Sequence, residues 1–231
     1  MKKSCPIPNA YVLHCKTLTE RRSHMEESLS RINLECEWIT DHDAAELSNE
    51  KIQSCYSRND EEVFRRVVPL WGAENYRPRD LTKGEISLTI KHVFALEKAS
   101  SSSAPYTAVF EDDCIFCEDF NFHFENYMKT TPGDWDVIHI GDGFGMKPES
   151  YKKSFNGKSF LMNHPASRCT EAILFRREAA KKISSTILPF HLAADWELAY
   201  QYSLHSLNVY WWDPAPITQA SHRNIFKSSL R

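Results

Sequence analysis

Three adjacent acids, Glu111-Asp112-Asp113, follow a short apolar segment and are the residues in this sequence best suited to chemistry. Neighbouring carboxylates repel one another, and such a cluster is costly unless a cation or several hydrogen-bond donors neutralise it. The apolar segment 106–110 predicts a strand, and open α/β sheets bind ligands beyond the carboxyl ends of their strands. Hard divalent ions such as Mn²⁺ or Mg²⁺ take oxygen ligands and bridge to diphosphates. The cluster therefore predicts a metal–nucleotide site at a strand end.

The spacing within the triplet suggests different roles for its members. Glu111 and Asp113 are separated by one residue on a turn, so oxygens from both can face one metal ion. Asp112 would then point towards sugar hydroxyls or a buried donor. A metal held in this way stabilises the charge that develops on a diphosphate leaving group. A solvated acidic turn is the alternative interpretation of the same three residues.

Two further groups of charged residues stand at predicted helix starts. Asp195 and Glu197 open a helix, where an acid complements the helix dipole. Either one could instead act as the general base that takes the proton from an acceptor hydroxyl. Arg21 and Arg22 follow the first predicted strand, where an arginine can bind a uracil edge or a phosphate. A solvated face of an amphipathic helix explains the two arginines equally well.

Histidines supply the remaining candidates. Thr82 and Glu85 have the spacing of a capping box, which predicts a helix start. His92 lies two helical turns beyond Glu85 on the same face, where it reaches the donor site or packs in the core. His222 follows the last predicted strand and could complete a metal shell, although a histidine near a terminus is often only exposed.

Composition restricts the class of protein. The chain has 231 residues, is 42% hydrophobic and carries a net charge of −3, which predicts one globular domain over 1–231 and no nucleic-acid partner. No apolar run approaches the roughly 20 residues of a membrane helix. The seven cysteines are scattered along the chain, and only Cys114 and Cys117 have C-x-x-C spacing. This distribution favours free thiols over a disulfide framework or a zinc site. We therefore expect a cytoplasmic protein, with peripheral attachment to a membrane left open.

Strands and helices alternate along the chain, so the predicted class is α/β. Strand 10–15, a helix with a capping box at Thr17 and Glu20, and strand 36–40 form a β-α-β unit, which favours parallel pairing. A polar insertion at about 41–80 carries short helices. Further strands are predicted at 136–140, 170–175 and 209–212, further helices at 178–187 and 194–207, and a loop at 144–165.

A series of motifs in a fixed order covers nearly the whole chain. They are Tyr11-Val12-Leu13, Arg21-Arg22, Leu81-Thr82-Lys83-Gly84-Glu85-Ile86, His92, Glu111-Asp112-Asp113, Trp135-Asp136-Val137-Ile138, Ala194-Asp195-Trp196-Glu197-Leu198 and Pro216-Ile217-Thr218-Gln219. This series resembles glycosyltransferase family 25, which includes lipopolysaccharide galactosyltransferases and procollagen galactosyltransferase domains. The most specific part is the helix start at 81–86, followed by His92 and the acidic triplet.

The resemblance implies a GT-A-like nucleotide-sugar fold, with a mixed, mostly parallel sheet flanked by helices. The donor would be a UDP-sugar, most often UDP-galactose or UDP-glucose, with Mn²⁺ or Mg²⁺. The acidic triplet would stand in place of the family's D-x-D motif. Residues implied at the donor are Tyr11, Leu13, Arg21, Glu85, Glu111 and Asp112, those implied at the metal are Glu111, Asp113 and His222, and the candidate bases are Asp195 and Glu197.

The expected reaction is an inverting transfer of a hexose, galactose or glucose, to a hydroxyl of a glycan, a lipid-linked saccharide or a protein. The sequence departs from the family pattern at Ser87 and Leu88, and also at His14, Cys15 and Lys91. The departures at His14, Cys15 and Lys91 keep open a non-catalytic sugar-nucleotide binder. A metal-dependent nucleotidyltransferase or phosphohydrolase is the other alternative, because such enzymes also place acids at strand ends.

Overall fold

The computed structural model describes residues 5–221, 223 and 225–227. Its strands are β1 (Ala10–Leu13), β2 (Glu37–Ile39), β3 (Tyr106–Glu111), β4 (Cys114–Phe116), β5 (Val137–His139), β6 (Tyr151–Phe155), β7 (Ser159–Met162), β8 (Ala172–Arg176), β9 (Val209–Trp212) and β10 (Ile217–Gln219). Its helices are α1 (Thr19–Ile32), α2 (Asn49–Cys55), α3 (Asp60–Trp71), α4 (Lys83–Ser101), α5 (Phe120–Thr130), α6 (Arg177–Ser184) and α7 (Ala194–Leu204).

The strands form an eight-stranded sheet in the order β2-β1-β3-β8-β5-β9-β7-β6, beside a two-stranded pair of β4 and β10. Within the large sheet, β1 is parallel to β2 and β3, and β5 is parallel to β9. Strands β8 and β7 run antiparallel to all their neighbours, so the other strands share one direction. The predicted mixed, mostly parallel sheet flanked by helices is confirmed.

Strand β3 shows how the sheet is held between two cores. Side chains alternate across a strand, and Val109 packs into the core on one face while Ala108 and Phe110 pack into the other. All three side chains are fully buried. A strand buried on both faces reads as a continuous apolar run, which explains why β3 was recognisable from the sequence.

The two predicted capping boxes have different outcomes. At α4, the Thr82 hydroxyl accepts a hydrogen bond from the backbone of Glu85, and the Glu85 carboxylate accepts one from the backbone of Thr82. This capping box is confirmed. The capping box at Thr17 and Glu20 is wrong, because α1 begins after Leu18 and has no side-chain cap.

The polar segment 41–80 contains α2 and α3, so the prediction of short helices there is confirmed. Asn59 caps α3 by accepting a hydrogen bond from the backbone of Glu62. At the other end of α3, Trp71 stacks on Trp196 of α7 with ring centroids 4.5 Å apart. The segment is therefore packed against the helix that carries the candidate bases.

The predicted loop at 144–165 is partly wrong, because it contains the hairpin of β6 and β7. Its turn is closed by a hydrogen bond of 3.0 Å from the backbone of Lys158 to the carbonyl of Phe155. The central residues Asn156 and Gly157 both have positive φ, as a type I′ turn requires. Strand β6 is an exposed edge strand rich in lysine, so it lacks the apolar alternation that predicts strands. Helix α5 was also not predicted. No described helix has both the length and the apolar character needed to cross a membrane.

Candidate active site

A cavity of about 570 Å³ lies where β1 and β3 end, and it also reaches the start of α7. Its lining includes most of the residues singled out from the sequence, namely Leu13, Arg21, Glu85, Glu111, Asp112, Asp113 and Asp195. The parallel pairing of β1 with β3 puts Leu13 directly opposite Glu111. Residues far apart in the chain are thus brought together at one sheet edge, where open α/β folds place ligands.

Glu111 is the last residue of β3 and faces the cavity with part of its carboxylate exposed. Its Oε1 accepts a hydrogen bond of 2.6 Å from the hydroxyl of Thr170. The Nε2 atom of buried His92 lies 4.0 Å from the same oxygen, which is beyond hydrogen-bond distance. Thr170 therefore orients Glu111, and this partner was not predicted.

Asp112 is buried and serves as a structural link. It accepts hydrogen bonds from the Arg21 guanidinium at 2.8 Å and from His14 Nδ1 at 2.7 Å. Burial alone would raise the pKa of Asp112, but these two hydrogen bonds outweigh burial and hold the pKa below its usual value. Of the two roles predicted for Asp112, the structure shows the contact with a buried donor.

Asp113 is buried without full compensation. Its Oδ1 has no hydrogen-bond partner among the described residues, and its Oδ2 lies 3.7 Å from the Arg21 guanidinium. Burial, and then the charge of Glu111, raise the pKa of Asp113 to about 6. A buried carboxylate beside a second carboxylate is stabilised by a cation, and both supply the oxygen ligands that Mn²⁺ or Mg²⁺ prefers.

These two acids fit a divalent ion as part of its ligand set. Within 5–221, 223 and 225–227, no group of three or more histidine, cysteine, aspartate or glutamate side chains is arranged to hold a metal. His222, the third predicted ligand, lies outside the described residues. Glu111 and Asp113 would therefore supply two ligands, and bound diphosphate or water would supply others.

The segment after β1 is fixed by a buried lysine. The Lys91 ammonium on α4 donates to the carbonyl of His14 at 2.5 Å and to the carboxylate of Asp43 at 2.6 Å. Asp43 also accepts a hydrogen bond from the backbone of Lys16. His14 and Lys91, noted in the sequence only as departures from a family pattern, thus hold one wall of the cavity.

The two candidate bases have different surroundings. Asp195 lines the cavity at the start of α7 and accepts a hydrogen bond of 2.9 Å from the backbone of Trp196. Burial, with smaller effects from the carboxylates of Glu111 and Glu85, raises the pKa of Asp195 above its usual value. A raised pKa makes a carboxylate a stronger base, which suits it to take a proton from a hydroxyl.

Glu197 is 0% exposed and does not line the cavity. Its carboxylate pairs with the Arg66 guanidinium and accepts hydrogen bonds from Gln201 and from the backbones of His191 and Leu192. A general base must reach the hydroxyl that it deprotonates. The geometry therefore places Glu197 in a structural ion pair and leaves Asp195 as the candidate base.

Two residues predicted to bind the donor also differ in their positions relative to the cavity. Tyr11 packs in the hydrophobic core below the cavity and does not line it. Glu85 reaches the cavity wall, where it caps α4 and forms an ion pair with Arg79. Tyr11 can thus contribute only through packing, whereas Glu85 is placed at the rim.

Comparison with known proteins decides the family. A family model described as glycosyltransferase family 25 (LPS biosynthesis protein) matches residues 7–196. The chain belongs to glycosyltransferase family 25. A family 25 member from Aedes aegypti is 25% identical over 79% of this chain, and procollagen galactosyltransferase 1-A of Xenopus laevis is 22% identical over 87% of it. These matches span 28% and 32% of the two relatives, so the chain covers about a third of their length.

Solved structures give more distant likenesses. A glycosyltransferase involved in glycosylation of the major capsid of PBCV-1 has 9% identity and a TM-score of 0.47, with 92% of each chain covered. The galactosyltransferase LgtC, solved with donor and acceptor sugar analogues, has 11% identity and a TM-score of 0.39, over 88% of this chain and 72% of its own. At these scores neither structure contributes to the assignment of the site.

Proposed function

We propose that this family 25 protein transfers a hexose from a UDP-sugar to an acceptor hydroxyl with the help of a divalent metal ion. The observation that carries the proposal is that one cavity joins the pair Glu111 and Asp113 to Asp195. The first two supply oxygen ligands for a cation beside a diphosphate, and the third supplies a base. A transferase that activates a hydroxyl needs both.

On the donor side, Glu111 and Asp113 would hold Mn²⁺ or Mg²⁺. The ion, when bound, supplies Lewis-acid stabilisation of the negative charge on the departing UDP. Arg21 reaches the same edge from α1, where it is held by Asp112. Its guanidinium adds positive charge close to the place where the diphosphate would lie.

On the acceptor side, Asp195 takes the proton from the attacking hydroxyl. The acceptor oxygen bonds to the anomeric carbon as the bond from that carbon to the diphosphate oxygen breaks, and UDP leaves. A single displacement of this kind inverts the anomeric configuration. No lysine, arginine or histidine side chain among the described residues forms an ion pair with Asp195, and its raised pKa makes it a stronger base than an ordinary aspartate.

Galactose is the hexose favoured here, because the Xenopus relative is named a procollagen galactosyltransferase; glucose is the second candidate. The description of the family model names lipopolysaccharide biosynthesis, which favours a glycan or lipid-linked saccharide as acceptor over a protein hydroxyl. All seven cysteines are free. This is compatible with a reducing, cytoplasmic location, with peripheral attachment to a membrane as the alternative.

A donor screen scored by UDP release tests the proposal. The protein is incubated with Mn²⁺, a saccharide mixture and UDP-galactose, UDP-glucose or another nucleotide sugar. We expect UDP release from one UDP-hexose that depends on Mn²⁺ and on the acceptor. Phosphate release from nucleoside triphosphates without acceptor would support the nucleotidyltransferase or phosphohydrolase alternative, and binding without any release would support a non-catalytic binder.

A further inference from the structure

A tight turn at the cavity mouth carries an exposed aromatic side chain. Met146 donates a backbone hydrogen bond of 3.2 Å to the carbonyl of Gly143, which closes the turn. The two central residues, Phe144 and Gly145, have φ values of 62° and 74°. Both positions of such a turn favour glycine, asparagine or aspartate. Phenylalanine is therefore in a backbone conformation that disfavours it.

The turn is firmly anchored to the protein. The backbone of Gly143 donates a hydrogen bond of 2.6 Å to the buried carboxylate of Glu171. The guanidinium of Arg168, also buried, donates one of 2.6 Å to the carbonyl of Met146. A Cβ atom at Gly143 would lie only 2.6 Å from Cγ of Arg168. The position of Phe144 is thus imposed by buried groups on both sides of the turn.

Phe144 is 71% exposed and also lines the cavity that contains Asp113 and Asp195. Strained residues that persist are concentrated at functional sites. The combination of strain, anchoring and exposure at this mouth indicates that the ring is kept there to contact a ligand.

The fold indicates which ligand. In the sheet, β1 and β3 lie on one side of β8, and β5, which leads into the turn, lies on the other. His14, Arg21 and the acidic triplet belong to the first side. Phe144 therefore enters the cavity from the side of β8 opposite the cation-binding acids. A donor held at those acids would leave this side of the cavity to the acceptor.

We propose that Phe144 stacks on the apolar face of a pyranose ring of the acceptor and so selects a saccharide over a peptide hydroxyl. The inference rests on the proposed transferase function. The CH groups of a hexose carry partial positive charge and meet the negative face of an aromatic ring. Loss of that contact should weaken acceptor binding and leave donor binding unchanged.

Saturation-transfer NMR with methyl β-galactoside and methyl β-glucoside tests this on the full chain. We expect transfer from the wild-type protein to ring protons of at least one glycoside. Phe144→Asn, which removes the ring and suits the left-handed backbone, should reduce it roughly fivefold, the scale of one aromatic contact. Phe144→Trp should retain it.

Phe122→Asn is the matched control, because Phe122 is 63% exposed and lies outside the active-site cavity. It should behave as the wild type. The thermal midpoint of Phe144→Asn should not fall. Equal saturation transfer in Phe144→Asn and wild type would overturn the assignment. Absence of transfer from the wild-type protein to either glycoside would also overturn it, as would a loss of transfer in Phe144→Asn that accompanies a lower thermal midpoint.

Calorimetry with UDP-galactose, UDP-glucose and Mn²⁺ separates this assignment from the proposed function. A donor Kd that is unchanged in Phe144→Asn, together with reduced glycoside contact, supports the assignment. If neither donor binds the wild type, the proposed function fails. If donor binding is intact and glycoside contact is the same in both proteins, only the role of Phe144 fails.

Discussion

The guanidinium of Arg21 donates a 2.8 Å hydrogen bond to the carboxylate of Asp112, although the two residues are 91 positions apart in the sequence. Both side chains are buried. The contact joins the first turn of α1 to the end of β3. The contact gives Asp112, the middle acid of the triplet, a structural role. It leaves the carboxylates of Glu111 and Asp113 as the ones available to a ligand in the cavity.

Removal of that guanidinium should be strongly destabilising. Arg21→Ala leaves Asp112 buried with His14 as its remaining side-chain hydrogen-bond partner, and breaking a buried ion pair typically costs about 3–5 kcal/mol. The free energy of unfolding, measured by urea denaturation, should fall by an amount of that order.

Glu26→Gln is the control for this prediction, because Glu26 forms an exposed ion pair with Arg22 one turn along the same helix. Exposed pairs contribute about 0–1 kcal/mol, so the stability should scarcely change. Equal effects of Arg21→Ala and Glu26→Gln would show that Asp112 does not depend on Arg21.

Asp195→Asn should remove activity without unfolding the protein. The amide cannot accept the proton from the acceptor hydroxyl, and loss of a general base typically reduces turnover about 10²–10⁴-fold. Initial rates of UDP release with acceptor present give the turnover number. Unimpaired turnover in Asp195→Asn would exclude Asp195 as the base.

Glu197→Gln should show the opposite pattern. It leaves the guanidinium of Arg66 buried beside a neutral amide, so we expect a loss of about 3 kcal/mol in unfolding free energy. Turnover per folded molecule should be retained. A stable but inactive Glu197→Gln protein would return Glu197 to the catalytic site and contradict the assignment drawn from its burial.

The difference between Asp195 and Glu197 shows what the sequence could and could not predict. Two positions on a helix are separated by about 200° of rotation, so the two acids cannot point the same way. The sequence predicted the helix and its acidic first turn. It could not predict which acid faces the cavity, because Arg66, the partner that buries Glu197, is 131 positions away.

The strand and acids at 106–113 were predictable for a local reason, since an apolar run buried on both faces ends in three charges. The contacts of His14 with Asp112, and of Lys91 with Asp43, were not, because each joins residues brought together only by parallel pairing of β1 with β3 and by packing of α4. Likewise, the lysine-rich edge strand β6 has no apolar pattern to reveal it.

Lys91→Met should disturb both the segment that follows β1 and the donor site. The side chain keeps similar length but loses its hydrogen bonds to the carbonyl of His14 and to Asp43, and it leaves the latter carboxylate buried without its cation. We expect a stability loss of about 3 kcal/mol and weaker UDP binding by calorimetry. Unchanged UDP affinity in the folded variant would separate this network from the donor site.

The buried ring of His139 should make stability depend on pH. Burial lowers the pKa of His139 from 6.5 to about 3, so the unfolded chain binds a proton between these values and the folded protein does not. Stability from this group is present above pH 6.5 and is lost as pH falls, by up to about 1.4 kcal/mol per pH unit.

His139→Asn should therefore flatten the acid side of the pH–stability curve relative to wild type. Replacement of the exposed His123 by Asn is the control and should leave the slope unchanged. Urea denaturation at a series of pH values measures both. Parallel curves for wild type and His139→Asn would show that His139 is protonated to the same extent in the folded and unfolded states.

The central claim is that Glu111 and Asp113 form a cation-dependent site for a UDP-sugar, and calorimetric titration with UDP-galactose and UDP-glucose tests it most directly. It is performed with and without Mn²⁺ on wild type and on Asp113→Asn, which keeps the size of the side chain and removes its charge. We expect Mn²⁺ to tighten binding of one donor to wild type at least about tenfold, or about 1.4 kcal/mol, and to have little effect on the variant. Equal affinities with and without Mn²⁺ in wild type, or an undiminished Mn²⁺ effect in Asp113→Asn, would contradict the claim.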